Sequence, residues 1–356
     1  MIRLSDIVQQ FAATTRQRYS LLPSQLKALS AWQICRTDKA PFMQLRCNDC
    51  EQPRYVPHSC GHRYCPHCQH HQSQEWLARQ LQKQLPARYF MLTFTLPAEL
   101  RSLAWRHQRM VYDQLMQCSW ATLKQFSHND KQLQGIPGAT SVLHTHNRRL
   151  DYHPHVHMVM PATAIDQHNI LRKKSGRKGW LFSRRALAKV FRAKLLAALK
   201  QAGLTLPADY PERWVVHCKS VGTGNKALTY LGRYLYRGVI REKDILRCEN
   251  GQVTFRYRDS KTQHTQTRTV SGEHFLWMLL QHVLPKGLRR ARNFGLLHPN
   301  SKHKLQLIQL LQGFNPARLI AALPDRPVIT CPCCGGVMKI VRTRIQPSAS
   351  LLPNSS

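Results

Sequence analysis

The stretch Tyr152-His-Pro-His-Val-His-Met-Val-Met160 sets the tightest limit on how this chain can fold. Imidazoles stand at 153, 155 and 157, and the residues between and beyond the last two are apolar. Successive side chains of a β-strand point to opposite faces, so an extended backbone puts His153, His155 and His157 on one face and sends Val156 and Met158 into the core. Neutral imidazole is a common ligand for divalent transition metals, and a row of them backed by an apolar row is what a metal site on a sheet needs. A histidine-rich exposed strand is the plainer alternative and would be preferred for a lone His; three at this spacing favour the metal. Residues 139–146 read as a partner strand, with 147–152 as the turn. Pairing His146 with His153 sets His144 opposite His155 on the same face. His144 is then either a third ligand or a histidine hydrogen-bonded beside the site.

The cysteines impose a second limit. Cys47-x2-Cys50 and Cys65-x2-Cys68 are two knuckles with the spacing of a structural four-thiolate zinc site, and Cys35 and Cys60 lie among them. The leftover pair makes a second site with a histidine, or Cys60 replaces a knuckle cysteine. Cys331-Pro-Cys333-Cys334-Gly-Gly resembles half of a zinc ribbon whose other half is not evident, so no zinc is expected there. Clustering with histidines, without an export signal, favours metal thiolates in a reducing cytosol over disulfides.

Charge narrows the partner. Fifty-three Lys and Arg against 18 Asp and Glu leave +35 over 356 residues, a surplus that an anionic partner neutralises. No apolar run is long enough to span a bilayer and no amphipathic helix has a clean aromatic face, so a membrane is not expected. Nucleic acid is the expected partner, bound in a salt-dependent way in the cytoplasm; the oligomeric state is left open.

In chain order, residues 1–34 read as helices broken at Pro23, 72–85 as a helix, 89–96 as a strand and 99–126 as one long helix. After the histidine strand comes a basic run containing Arg172, Lys173 and Lys174, a solvated loop whose place beside the metal strand suits phosphate contact. Residues 183–202 form an amphipathic helix capped by Ser183, and 214–219 a strand. A Gly222-Thr-Gly-Asn turn opens a helix carrying Lys226, Tyr230, Arg233, Tyr234 and Arg237. Tyr230 and Tyr234 share a face four residues apart. Core packing is the ordinary reason for such tyrosines. A tyrosine hydroxyl also attacks a phosphodiester when a metal polarises the phosphate and cations offset its charge. Residues 243–271 alternate as β-hairpins with an Asn250-Gly251 turn, 302–312 are helical, and the final ten residues have the composition of a disordered tail.

The chain resembles the HUH-nuclease transposases of the rolling-circle insertion-sequence family, which carry an N-terminal zinc-binding domain. The matching stretches are Cys47-Asn-Asp-Cys50, Ser59-Cys60-Gly-His-Arg-Tyr-Cys65-Pro-His-Cys68, Phe94-Thr-Leu-Pro97, Leu150-Asp-Tyr-His-Pro-His-Val-His157, Tyr230-Leu-Gly-Arg-Tyr234 and His282-Val-Leu-Pro-Lys-Gly287, in the family's order. Where the family has Arg-His-Cys, this chain has Arg63-Tyr64-Cys65. The resemblance implies an α+β fold with a ferredoxin-like antiparallel sheet, preceded by a small helical zinc-binding domain. It implies that His155 and His157 bind Mg²⁺ or Mn²⁺, that Tyr230 and Tyr234 are nucleophiles, and that single-stranded DNA is cut and rejoined through a phosphotyrosine. Lys226, Arg233, Arg237, Arg172, Lys173 and Lys174 are the expected phosphate contacts. The expected layout is a zinc-binding domain over 1–86, a nuclease domain over 87–297 with a hairpin insertion around 243–271, and a C-terminal segment over 298–356. A non-catalytic zinc-ribbon DNA-binding protein, or a zinc hydrolase using water, would explain the charge and cysteines but leave the paired tyrosines unused.

Overall fold

In a computed structural model of the chain the described residues are 2–65, 68, 70–175, 179, 181–236, 239–259, 262–323 and 328–347. The expected disordered tail and Arg237 lie outside the described residues. The fold is α+β, in two compact units: Met1–His70 with Tyr236–Val283 and Leu323–Ser356, and His71–Leu235 with Leu284–Ala322.

The second unit is built on β1 (Tyr89–Thr95), α1 (Gln108–Asn129), β2 (Ile136–His146), β3 (Tyr152–Pro161), α2 (Arg184–Gln201) and β4 (Val216–Ser220). The sheet order is β2-β3-β1-β4 with every neighbouring pair antiparallel. A βαββαβ chain in that order is the ferredoxin-like split-βαβ arrangement. α3 (Asn225–Tyr236) follows β4, and β5 (Ala291–Gly295) pairs with the outer side of β2. The single helix expected over 99–126 is divided at His107, whose φ of −124° and ψ of 45° separate Arg101–Arg106 from α1.

Alternation in β1 and β3 divides the sheet into an apolar face and a polar one. Phe90, Leu92, Phe94, Val156 and Met158 are fully buried, and the Phe94 ring packs against Phe191 of α2 at 4.9 Å. Thr93, His155 and His157 occupy the opposite parity, with Thr93 directly across from His157. α2 is capped as expected, Ser183 Oγ accepting from the Ala186 amide.

The first unit holds the helices Leu4–Arg18, Pro23–Ile34 and Gly272–Leu280, a three-stranded sheet over 245–271, and a four-stranded sheet joining Phe42–Cys47 and Pro53–Pro57 to Ile329–Thr330 and Val337–Ile345. The hairpins over 245–271 interrupt the second unit in sequence, and they cluster with the N-terminal helices in the first. The cause is local packing. Tyr19 stacks on Trp277 at 4.6 Å, and Gly272 lies so close to Phe11 that a Cβ would fall 2.3 Å from its ring. The C-terminal strand is likewise drawn into this unit.

Candidate active site and thiolate centres

β2 and β3 bring three imidazoles together. The register sets His144 opposite His155 and Val142 opposite His157. His146 pairs with Tyr152 rather than His153, because an irregularity after His144 takes up one residue. The turn between the strands is fixed by Asn147, whose Oδ1 accepts from the Arg149 and Asp151 amides, and by Leu150 at a φ of +68°.

One nitrogen from each of His144, His155 and His157 lies within 4.8 Å of the others. His155 Nδ1 donates to the His153 carbonyl at 2.6 Å, and His157 Nδ1 meets Thr93 Oγ1 at 2.8 Å. With both Nδ1 atoms engaged, each ring has its Nε2 left for the cluster. His144 Nε2 is buried without a hydrogen-bond partner among the described residues. An orphaned buried acceptor facing two like it fits a divalent cation. Burial, together with the other imidazoles, holds His144 and His155 well below the ordinary histidine range, and burial takes His157 down to about 4. All three are neutral at physiological pH, the state a ligand requires. His153 turns aside, its Nδ1 2.7 Å from Arg101.

α3 lies over this cluster. Its start is set by Gly222 and Gly224, both at positive φ, the latter so close to the Tyr89 ring that a Cβ would sit 2.8 Å away. Gly232 lets Trp76 of the helix His70–Leu81 approach to 3.1 Å of where a Cβ would stand. Tyr234 stacks on His144 with ring centroids 3.2 Å apart and 7° between planes, and on His146 at 4.8 Å. The Tyr230 ring is 6.0 Å from His144 and 6.1 Å from His157.

The two phenols differ. Tyr230 is 47% exposed, whereas the Tyr234 hydroxyl is buried against the backbone of Thr145 and His146. Burial raises both pKa values, that of Tyr234 beyond the ordinary phenol range; Arg148 opposes the rise at Tyr230 and Arg290 at Tyr234.

Arg290 is only 6% exposed. Its Nε donates to the Leu143 carbonyl at 3.1 Å, and its guanidinium lies 4.8 Å from the Tyr234 ring centroid. No carboxylate pairs with it among the described residues. A buried cation offset only by a ring face and one carbonyl is costly without an anion. Arg290 belongs to a run of basic residues after Pro285 (Lys286, Arg289, Arg290 and Arg292), and nothing in its spacing, or in that of Arg148 and Thr93, singles it out in the sequence.

Of the expected phosphate contacts, Lys226 and Arg233 are exposed on α3. Arg172 pairs with Asp166 at 2.7 Å and Lys174 with Asp130, so these two cations serve local ion pairs rather than standing free. Lys173 reaches Gln312.

The thiols assemble differently from the expected pairing of the two N-terminal knuckles. Cys65 and Cys68 group with Cys35 and Cys60, while Cys47 and Cys50 group with Cys331 and Cys334. In the first set Sγ atoms stand 3.6 Å (Cys35 to Cys65), 3.3 Å (Cys35 to Cys68) and 3.7 Å (Cys60 to Cys68) apart. Those separations are far beyond a disulfide bond of about 2.0 Å and near the edge of about 3.8 Å that follows from Zn–S distances of about 2.3 Å in a tetrahedron. Cys60 completes this set, so the departure at Tyr64 leaves four thiols in place.

Comparison with known proteins gives the chain a family. Residues 138–304 match a family model described as a putative transposase, and residues 7–96 one described as a transposase zinc-binding domain. The putative transposase y4qJ of Sinorhizobium fredii (strain NBRC 101917 / NGR234) is 30% identical over 318 residues, 83% of this chain and 80% of that protein. The transposase for insertion sequence element IS801 of Pseudomonas savastanoi pv. phaseolicola is 29% identical over 291 residues, 77% of this chain and 70% of that protein. The chain belongs to the rolling-circle insertion-sequence transposase family with an N-terminal zinc-binding domain. Among solved structures, the metal-bound conjugative relaxase TrwC in complex with OriT DNA is 14% identical, covers 64% of this chain and 73% of its own, and has a TM-score of 0.29. A likeness that loose bears on neither fold nor activity. Among the described residues no helix is long and apolar enough to cross a membrane.

Proposed function

We propose that this transposase cuts and rejoins single-stranded DNA through a covalent 5′-phosphotyrosine at the site beneath α3. The observation that carries the reading is the placement of both tyrosines on the imidazole triad, one stacked on His144 and the other about one ring's reach from His157. His144, His155 and His157 would hold a divalent cation, positioned from behind by Thr93 and the His153 carbonyl. A cation there supplies the positive charge that polarises a scissile phosphate and steadies a departing 3′-oxygen. An all-imidazole donor set suits Mn²⁺ better than Mg²⁺, which prefers oxygen ligands.

Tyr230, exposed and beside Arg148, is the hydroxyl suited to attack first. Its oxygen bonds to phosphorus as the P–O3′ bond breaks; its proton passes to water, and the 3′-oxygen leaves as a hydroxyl once protonated. The energy of the broken diester is kept in the phosphotyrosine. Tyr234, freed from His144, would make the second attack while the first strand end remains attached. Arg290 answers the negative charge gathering near Tyr234, and Lys226 and Arg233 meet the DNA backbone.

The test is incubation of the full chain with end-labelled single-stranded element termini and Mn²⁺, resolved on a denaturing gel. A labelled protein band that Tyr230→Phe removes supports the reading. Cleavage without an adduct would mean water attack, and binding without cleavage a non-catalytic DNA-binding protein; either overturns it.

A further inference from the structure

Cys331 and Cys334 lie outside both transposase matches, which end at residues 304 and 96. They nevertheless sit with Cys47 and Cys50, from the other end of the chain, in a four-thiol set. The sulfurs stand 3.5 Å (Cys47 to Cys334), 3.7 Å (Cys50 to Cys331) and 3.5 Å (Cys50 to Cys334) apart. These are again the edges of a thiolate tetrahedron and exclude disulfides.

The backbone is built around the same point. Phe42–Cys47 pairs antiparallel with Val337–Ile345, setting Cys47 opposite Met338 and Arg46 opposite Lys339. Each Cys-x2-Cys forms the tip between two strands. Cys47 N–H donates to the Gln52 carbonyl at 3.1 Å and Cys331 N–H to the Gly336 carbonyl at 2.8 Å. The Asp49 amide points at Cys47 Sγ from 3.4 Å, a donor that stabilises a thiolate. The tips are joined by the Asn48 amide on the Val337 carbonyl at 3.0 Å. The two tips approach closely: a Cβ on Gly336 would lie 1.9 Å from Asp49 Oδ2.

Beyond its strand pairing, little apolar packing holds the C-terminal strand. Its buried core is Leu45, Cys47, Cys331 and Met338, with Val56 alongside, while Val337, Ile340 and Val341 are exposed. Four apolar side chains, two of them cysteines, do not offset the entropy of ordering two distant hairpins, whereas a structural zinc ion contributes folding free energy outright.

We propose that Cys47, Cys50, Cys331 and Cys334 bind a second zinc ion, making a zinc ribbon split between the two ends of the chain and docking the C-terminal hairpin on the N-terminal one. Binding releases four thiol protons to solvent and leaves a centre of net charge −2, within a chain whose cations are in large excess. Cys333, exposed in the same tip, takes no part.

The full-length protein carrying His155→Ala, which removes the imidazole triad as a zinc site, is passed through a desalting column and measured for zinc by mass spectrometry; it should carry two ions per chain, and the cysteine variants are made in this background. Cys331→Ser with Cys334→Ser should carry one, and Cys333→Ser should keep two. Cys47→Ser should also raise amide exchange across 337–345, at the far end of the sequence. Because the serine variants are able to fail by misfolding, the unmutated chain is also loaded with cadmium-113; two tetrathiolate resonances are expected. A single such resonance, two zinc ions in the Cys331/Cys334 variant, or loss of one in Cys333→Ser overturns the proposal.

Discussion

Thr93→Val tests the metal site through a residue that touches no metal. The Thr93 hydroxyl is 2.8 Å from His157 Nδ1, on strands that set the two residues directly opposite one another. Valine keeps the shape and removes the oxygen. A buried N–H left without an acceptor costs about 1–3 kcal/mol, and the imidazole escapes that cost by moving its proton to Nε2. That tautomer has no lone pair for a cation. Metal binding must then reverse the shift, and loss of such an outer partner weakens affinity about 10–100-fold, or about 1.4–2.8 kcal/mol at about 1.4 per decade. Calorimetric titration of Mn²⁺ into dialysed protein gives the number, and Thr93→Ser, which keeps the hydroxyl, should restore most of the affinity. Unchanged Mn²⁺ affinity in Thr93→Val, with His155→Ala binding none, would show that Thr93 does not orient His157 and that the outer-partner reasoning is wrong.

Four other outcomes follow from the same site. Tyr234→Phe should leave the first nick and its adduct while reducing strand transfer, whereas Tyr230→Phe should remove the nick; equal loss in both, on a denaturing gel, would contradict the difference in exposure. Arg290→Met should lower cleavage by about 10²–10³, as for removal of a charge-stabilising donor, with single-stranded DNA binding little changed and Arg290→Lys intermediate. Each of Lys226→Ala and Arg233→Ala should reduce the slope of log affinity against log salt by about 0.7 per lost phosphate contact, which filter binding at several salt concentrations measures. Finally, burial lowers His157 from 6.5 to about 4, so the unfolded chain takes up a proton before the folded one does. Stability is then flat above about pH 6.5 and declines toward about pH 4, by about 3 kcal/mol at 1.4 kcal/mol per pH unit; acid-independent melting of metal-free protein would refute it.

The histidine strand was legible because period two has one structural meaning: His155 and His157 had to share a face, and a hairpin partner had to bring His144 beside them. The bulge after His144 was invisible, yet the pairing of His144 with His155 survived it because the extra residue falls beyond the pair. The thiol pairing was not legible. Every Cys-x2-Cys knuckle is chemically equivalent, and the choice of Cys331 and Cys334 for Cys47 and Cys50 is made by strand pairing between residues 42–47 and 337–345. Charge runs hide their neighbours in the same way. Nothing near Arg172 or Lys174 in sequence announces that Asp166 and Asp130 will hold them. The hairpins over 245–271 follow the tyrosine helix in sequence, but the helix Gly272–Leu280 that continues them packs on Tyr19 and Phe11 of the N-terminal unit.

The difference between the two tyrosines bears on why a transposase would keep both on one helical turn. Spacing alone makes them equivalent, and equivalent nucleophiles would compete for the first phosphate. The fold separates them by environment. Tyr230 meets solvent and an arginine, while Tyr234 is held flat on His144 beneath Arg290, its hydroxyl buried and its ionisation suppressed by desolvation. In the proposed mechanism a stacked, neutral Tyr234 covers His144 and would not attack until the contact breaks. Charge brought to the site by a strand covalently held at Tyr230 would draw Arg290 away from the Tyr234 ring and loosen that stack. On that proposal the first reaction would arm the second, and ordered rather than random use of the pair would follow from packing, without a separate regulatory element.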